Sequence, residues 1–329
     1  MSVTSVVDTA LDRTIVLGYG NVGLAIRRRL SGWPADPPRI DGSVVMVTGA
    51  ASGLGRAAAA GLAGLGARVY AVARDDARAA EAVDRVRATV ARADVRPLAA
   101  DLSEVGELRD LARRFAAQEP RLDVLVNNAG AMPDEREHSA GGHELMFATH
   151  VLAPFALTEL LAEQLKAARP SRVINVSSGG MYDQSVPVTD LESEDASYGP
   201  KKLYARTKRE LVVITEQWAE RLKPEGVVVH AMHPGWVDTK GVQDWMPVFR
   251  AMTRPIIRTP EQGADTIAWL GASPEPLRST GLFWHDRRPR PTTYLIGASA
   301  DDADARAAVW EHCRQALDRP DDPVAAGTG

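Results

Sequence analysis

The sequence predicts an α/β protein built on a doubly wound, mostly parallel sheet with helices on both faces. Three observations predict it. Short apolar or β-branched runs recur at Val44–Thr48, Arg68–Val72, Arg96–Ala100, Leu122–Asn127, Arg172–Ser177 and Val227–His233, separated by stretches rich in Ala, Leu, Arg and Glu. Strands alternating with helices imply βαβ units, and hence a parallel sheet with right-handed crossovers. Runs such as Val44-Val45-Met46-Val47 are apolar without alternation, as strands covered on both faces are. Thirdly, Gly49, Gly53 and Gly55 stand between the first run and the Ala-rich stretch Arg56–Leu65, where such a sheet turns its first strand sharply into a helix.

The 329 residues, 45% hydrophobic and 25% charged, suit one large α/β domain with a sizeable core. We divide the chain into an N-terminal extension and linker (1–42), a single sheet domain (43–290), a C-terminal segment with a helix (291–318) and a disordered tail (319–329). The extension carries an Arg27-Arg28-Arg29 run, expected to be solvated, and then Pro34, Pro37 and Pro38. A net charge of -4, from 39 basic and 43 acidic residues, gives no reason to expect nucleic acid. The lone Cys313 rules out an internal disulfide and fits a reducing compartment, so a cytoplasmic location is expected. No apolar run approaches the roughly 20 residues of a membrane span, and the N-terminus has no signal-peptide pattern. The expected partners are a small-molecule substrate and, at most, further copies of the chain in a homo-oligomer. No metal-ligand set is read from the sequence.

Two glycine motifs compete. Gly18-Tyr-Gly20-Asn-Val-Gly23 matches G-x-G-x-x-G after Ile15-Val16-Leu17. A dinucleotide fingerprint also needs a second strand and an acid about 20 residues on; here the prolines intervene, so this motif reads as a decoy. The second, Thr48-Gly49-Ala-Ala-Ser52-Gly53-Leu54-Gly55, follows a buried strand and opens a helix. Its glycines would let backbone approach a pyrophosphate, and the helix N-terminus would supply N–H donors and positive dipole. The whole therefore reads as a Rossmann-type sheet.

This T-G-x-x-x-G-x-G spacing resembles the short-chain dehydrogenase/reductase family. The resemblance continues with Asp101-Leu102 after the third strand, where the family's acid contacts adenine. Asn127-Asn128-Ala129-Gly130 resembles the N-N-A-G that shapes the cofactor site. After the sixth strand, Pro234-Gly235-Trp236-Val237-Asp-Thr239 resembles the P-G-x-V-x-T that lines the nicotinamide. The similarity spans roughly Ser43 to Trp284. Several stretches, among them Ser177-Ser-Gly-Gly-Met181 and Phe283-Trp-His-Asp-Arg-Arg-Pro289, look closest to one subgroup of that family.

Cofactor choice turns on the end of the second strand, Ala73-Arg74-Asp75. An NAD enzyme places an acid there for the ribose 2′-hydroxyl. Ala73 falls at that position and Arg74 follows, and a guanidinium suits a 2′-phosphate. NADP(H) is expected over NAD(H), with Asp75, one residue late, as the competing reading.

Two Tyr-x-x-x-Lys matches overlap. Tyr198-Gly-Pro-Lys-Lys202 contains Pro200, which disfavours helix before it. Tyr204-Ala-Arg-Thr-Lys208 sits in a long helical stretch, Lys201–Leu222, where positions four apart share a face. Lys208 could then lower the Tyr204 pKa, and Tyr204 act as general acid/base. The resemblance makes Ser178 the catalytic serine, with Ser177 as runner-up, and places His150 where the family has a catalytic Asn. His150 is read either as a replacement for that Asn or as a structural histidine. Met181–Gly199 is expected to loop over the pocket, with Met181, Trp236, Trp245, Met246 and Phe249 as apolar walls and Tyr182 as a polar tip. The expected function is interconversion of a carbonyl and an alcohol on a fairly apolar substrate. The alternative is a catalytically impaired, nucleotide-binding regulatory protein, which only His150 favours.

Overall fold

All six apolar runs become strands in the computed structural model, which describes residues 3–14, 18–195, 197–239, 243, 247–294 and 301–319. They are β1 (Val44–Thr48), β2 (Arg68–Ala73), β3 (Val95–Ala99), β4 (Val124–Asn127), β5 (Ser171–Val176) and β6 (Val227–Met232). Two short strands not expected from the sequence, β7 (Phe283–His285) and β8 (Arg288–Arg290), extend the sheet. The strand order is β3-β2-β1-β4-β5-β6-β7-β8, parallel except for the final β7–β8 pair. The order reverses direction between β1 and β4, the crevice where ligands bind in open α/β sheets. Pro97 lies within β3 at the sheet edge, where a missing N–H is tolerated.

Strands β1 to β6 feed two cores. Val44, Met46, Tyr70 and Leu125 point to one face, against α5 (Val105–Ala116), α6 (145–160), α8 (Pro200–Leu222) and α11 (Ala303–Asp318). Val45, Val47, Val69 and Val126 point to the other, against α3 (Gly53–Gly64), α4 (Asp76–Thr89) and α10 (Pro260–Ala272). Every strand residue of β1 and β4 is buried. At roughly 1.5–3 kcal/mol per fully buried large apolar side chain, these two layers outweigh any surface term. The helix α6 starts as Leu145–Phe147, widens to a π turn over Ala148–Leu152 and resumes as Ala153–Leu160. A π turn adds a residue to the helical circuit and often marks a functional site; here it carries His150. The short helices α7 (Ala162–Ala167) and α9 (Pro247–Thr253) complete the chain between these elements. The helix of the C-terminal segment is α11, and residues 320–329 of the expected tail lie outside the described residues.

The N-terminal extension is no loose appendage. It forms α1 (Val3–Arg13) and α2 (Asn21–Arg29), tied to the β7–β8 hairpin at the end of the sheet. The expectation that the arginine run is solvated fails for Arg27, which is fully buried. Its guanidinium reaches Asp8 at 3.0 Å and Asp286 at 2.6 Å, and donates to the Gly18 carbonyl. Arg258 grips Asp286 with two nitrogens, at 2.6 and 2.9 Å. Asp286 and Arg287 form the two-residue turn between β7 and β8, both with positive φ, as a type I′ hairpin requires. The turn aims Asp286 between the two arginines. Two buried cations around one carboxylate are tolerable because the ion pairs and backbone carbonyls satisfy all of their nitrogens but Arg27 Nη2, which has no partner among the described residues. Their pull, against the opposing effect of burial, holds the Asp286 carboxyl far below the usual carboxylate range.

Candidate active site

The β1–α3 turn is built by close approach. Gly49 has φ +66°, and a Cβ there would lie 2.9 Å from the Ala129 backbone; at Gly55 it would meet the Gly49 carbonyl oxygen at 2.2 Å. Only glycine fits at both positions. Gly53, with φ +50°, opens α3 beneath Thr239. Thr48 stands behind the turn: its hydroxyl accepts from the Asn128 and Ala129 N–H groups at 2.9 and 3.1 Å, while the Asn128 side chain donates to the Thr48 carbonyl at 2.9 Å. The glycine turn and the Asn-Asn-Ala-Gly segment are thus one hydrogen-bonded unit at the end of β1 and β4.

A cavity of about 1270 Å³ runs over these strand ends. Gly49, Ser52, Gly53, Leu54 and Gly55 line one stretch of it, Arg74, Asp101 and Leu102 a second, and Asn128, Ala129 and Gly130 its floor. Ser178, Tyr204 and Lys208 line it further along, with Pro234, Gly235, Val237 and Thr239 opposite. The sequence-derived site residues therefore converge on one cavity, save Thr48 and His150, which stand behind its wall. Arg74 lies 3.4 Å from Asp101 and is largely exposed. Asp75 is occupied elsewhere: it caps α4 by accepting from the Arg78 N–H at 2.8 Å and pairs with the Arg78 side chain.

The helix α8 starts at Pro200, so Tyr198 precedes it, and the Tyr198 hydroxyl donates to the Pro133 carbonyl at 2.7 Å. Tyr204 and Lys208 lie one turn apart on its cavity side, with the Lys208 nitrogen 5.7 Å from the Tyr204 ring centre. Lys208 donates to the Val176 carbonyl at 2.9 Å, and burial pulls its pKa down to about 7. Burial pushes the Tyr204 phenol up, while its hydrogen bond with Ser178 works in the opposite direction. The expected lowering of the Tyr204 pKa by Lys208 does not emerge: burial dominates, and the Ser178 hydrogen bond is what opposes it. The Ser177 hydroxyl donates to the Lys208 carbonyl at 2.8 Å; the Ser178 oxygen instead sits beside Tyr204 and accepts from the Gly180 N–H at 3.3 Å.

Both ring nitrogens of His150 are engaged. Nε2 accepts from the Ala131 N–H at 3.0 Å, and Nδ1 lies 2.8 Å from the Thr207 hydroxyl, which itself donates to the Tyr204 carbonyl. That chain requires a neutral ring with its proton on Nδ1. Burial, then the charge of Lys208, holds its pKa well below the usual histidine range, consistent with that state. His150 ties the end of the β4 loop to the first turns of α8.

Among the expected pocket walls, Trp236 and Tyr182 line the cavity. Met181 does not: it is fully buried in a small core with Val212, Ala231 and Phe283, because the turn after Ser178 rolls it inward. The Tyr182 hydroxyl is spent on the Pro291 carbonyl, at 2.9 Å. Trp245, Met246 and the Phe249 side chain lie outside the described residues. Sequence reasoning missed Tyr19, Asp12 and Arg13 of the extension, all at the cavity. The Tyr19 ring packs on His233 at 4.5 Å and on Trp236 at 6.3 Å. Gly18-Tyr19-Gly20 thus seats an aromatic ring against the mouth of the site, a use its fingerprint-like spacing does not signal. Arg78, a further missed cation at the cavity, could have been read from its place just after β2.

Residues 43–247 match the family model of short chain dehydrogenases. Dehydrogenase/reductase SDR family member 12 of Bos taurus is 39% identical over 255 residues, 77% of this chain and 80% of that protein; it carries the subgroup resemblance seen in the sequence. Human retinol dehydrogenase 14 is 34% identical over 311 residues, 88% of this chain and 90% of its own length. Among solved structures, a Pseudomonas aeruginosa RhlG/NADP active-site complex superposes with TM-score 0.62 at 26% identity, covering 74% of this chain and 94% of that one. The eight-stranded sheet, the glycine turn bonded to Asn128 and the Ser178-Tyr204-Lys208 cluster agree with these matches, and we conclude that the chain belongs to the short-chain dehydrogenase/reductase family of oxidoreductases.

Proposed function

We propose that the protein is an NADP(H)-dependent oxidoreductase that interconverts a carbonyl and an alcohol on a fairly apolar small molecule, with Tyr204 as general acid/base. One observation carries this reading: a single cavity joins a glycine cradle at a helix N-terminus to Tyr204, Ser178 and Lys208. The cradle fits a dinucleotide. It offers helix-terminal N–H groups where side chains beyond hydrogen cannot enter at Gly49 and Gly55, the arrangement that binds phosphate. A nicotinamide held there would supply the hydride.

The chain's own residues supply the proton. As hydride reaches a carbonyl carbon, negative charge grows on its oxygen, and the Tyr204 phenol donates its proton to that oxygen. The Ser178 hydroxyl holds the oxygen beside the phenol. Burial raises the phenol's pKa, so it carries its proton at neutral pH but gives it up less readily, and the charged form of Lys208 would offset this by stabilising the phenolate left behind. His150 acts on these groups as a positioning residue. The apolar substrate rests on Tyr19 and Trp236 at the cavity wall and on the resemblance to retinol dehydrogenase 14. A regulatory, non-catalytic protein is the weaker reading, since His150 preserves a hydrogen-bonded scaffold and the three reacting side chains are present.

Cofactor choice rests on Arg74, exposed at the cavity, and on Asp75 being turned into a helix cap. NADPH is expected to bind more tightly than NADH in fluorescence titrations. Arg74→Ala should weaken NADPH about tenfold or more and NADH little, as loss of a charge-assisted bond to phosphate would. Tighter binding of NADH by the wild type would sink this assignment. Tyr19→Ala should raise KM for an apolar ketone several-fold while leaving the NADPH Kd unchanged; a changed Kd with constant KM would place Tyr19 on the cofactor side.

A further inference from the structure

We propose that His143, Glu192 and His312 form a binding site for a divalent transition cation, Zn²⁺ in the first place, separate from the catalytic cavity. The three come from distant parts of the chain: the segment before α6, the segment between Ser178 and α8, and α11. Their ligand atoms all lie within 4.8 Å of one another. His143 Nδ1 and His312 Nε2 approach the same carboxylate oxygen, Glu192 Oε1, at 2.8 and 2.6 Å. Zinc–ligand bonds of about 2.0–2.1 Å would need these atoms only slightly farther apart. The other Glu192 oxygen accepts the Glu144 N–H at 2.7 Å, the kind of outer bond that orients a ligating carboxylate. His143 and Glu192 are nearly buried, while the His312 side chain is 33% exposed, which leaves an entry path and room for a water ligand.

The surroundings point to a cation independently. Glu144 and Glu210 are fully buried. Glu144 Oε1 and both Glu210 oxygens lack a hydrogen-bond partner among the described residues. Unpaired carboxyl oxygens in the interior are costly, and Glu144 adjoins the cluster directly, through its N–H on Glu192 and its place next to His143. A dication held by His143, Glu192 and His312 would place positive charge beside them. Two imidazoles select a borderline metal over Mg²⁺ or Ca²⁺, which prefer all-oxygen sites. Cys313, next to His312, is no ligand as placed: it is fully buried in the hydrophobic core and lies outside the cluster. A bound ion would staple the segment carrying Glu192, which links Ser178 to the Tyr204 helix, to α11 and to the segment that leads into α6.

The test uses the full-length, tag-free chain, stripped with a chelator and titrated with Zn²⁺ against a chromophoric competitor. We expect one Zn²⁺ per chain, a Tm that rises with Zn²⁺ and not with Mg²⁺, and, with Co²⁺ as probe, the visible absorption of a low-coordinate nitrogen–oxygen site. His312→Gln keeps a donor for Glu192, so the fold should survive by circular dichroism, yet Zn²⁺ affinity should fall at least about 100-fold with one of three protein ligands gone. Glu192→Gln should act in the same direction. Sub-stoichiometric Zn²⁺ in the wild type, or equal affinity in His312→Gln, would overturn the proposal. So would a Co²⁺ spectrum unchanged by either substitution.

Discussion

Tyr204→Phe should lower turnover by about 10²–10⁴-fold, the usual contribution of a positioned general acid, while NADPH affinity and folding stay close to wild type. The phenol's oxygen is the only atom removed. Its ring is held by the T-shaped contact with His150, at 5.3 Å between centroids, and by the neighbouring Met132, Met146 and Leu203, so Phe fills the same space. Tyr198→Phe loses only the bond to the Pro133 carbonyl and should change turnover far less. Single-turnover oxidation of NADPH by both variants, with one accepted ketone, distinguishes them. A dead Tyr198→Phe beside an active Tyr204→Phe would move the active site to the other tyrosine.

The largest stability effect is expected at Asp286. Asp286→Ala leaves Arg27 and Arg258, both fully buried, without their shared carboxylate. Removing one partner of a buried ion network costs about 3–5 kcal/mol because the remaining charge is stranded, and here two charges are stranded. Arg27 keeps Asp8, and Arg258 keeps the carbonyls of Gly18, Gly20 and Pro234, which tempers the loss without removing it. Asp286 also holds a left-handed turn residue, so Asp286→Asn, which tolerates that conformation and keeps the shape, separates charge from backbone. Urea unfolding of both variants checks the expectation. A Cm within error of wild type for Asp286→Ala would show that the extension and the β7–β8 turn are energetically uncoupled.

The parts of the molecule legible in its sequence are those whose signal is local. The glycine turn, the apolar strands β1 to β6 and the start of α8 at Pro200 each depend on a few adjacent residues, so period and turn chemistry suffice. β7 and β8 have three residues each, and Arg288-Pro289-Arg290 has no apolar period at all; pairing with neighbours, not propensity, makes them strands. Arg27 looked like one of three solvated arginines because its partner Asp286 lies 259 residues away in sequence. Tyr19 was hidden by the opposite effect, a familiar glycine spacing that suggested the wrong chemistry. The site followed the same division: Tyr204 and Lys208 were readable from helical spacing, whereas the tie of His150 to Ala131 and Thr207 joins three elements and has no local mark. The cluster of His143, Glu192 and His312 escaped for that reason too.

A dinucleotide cradle and a working proton donor in one cavity would together reduce a carbonyl. Mixing the protein, saturated with NADPH, with a panel of apolar ketones and aldehydes under single-turnover conditions tests it most directly, with cofactor oxidation and alcohol product followed together. The account predicts that at least one apolar carbonyl is reduced, with one alcohol formed per NADPH consumed, and that small charged oxo acids are not. If NADPH binds yet no carbonyl in the panel is reduced, the protein is a cofactor binder without this catalysis; if only the charged acids react, the apolar pocket is wrong.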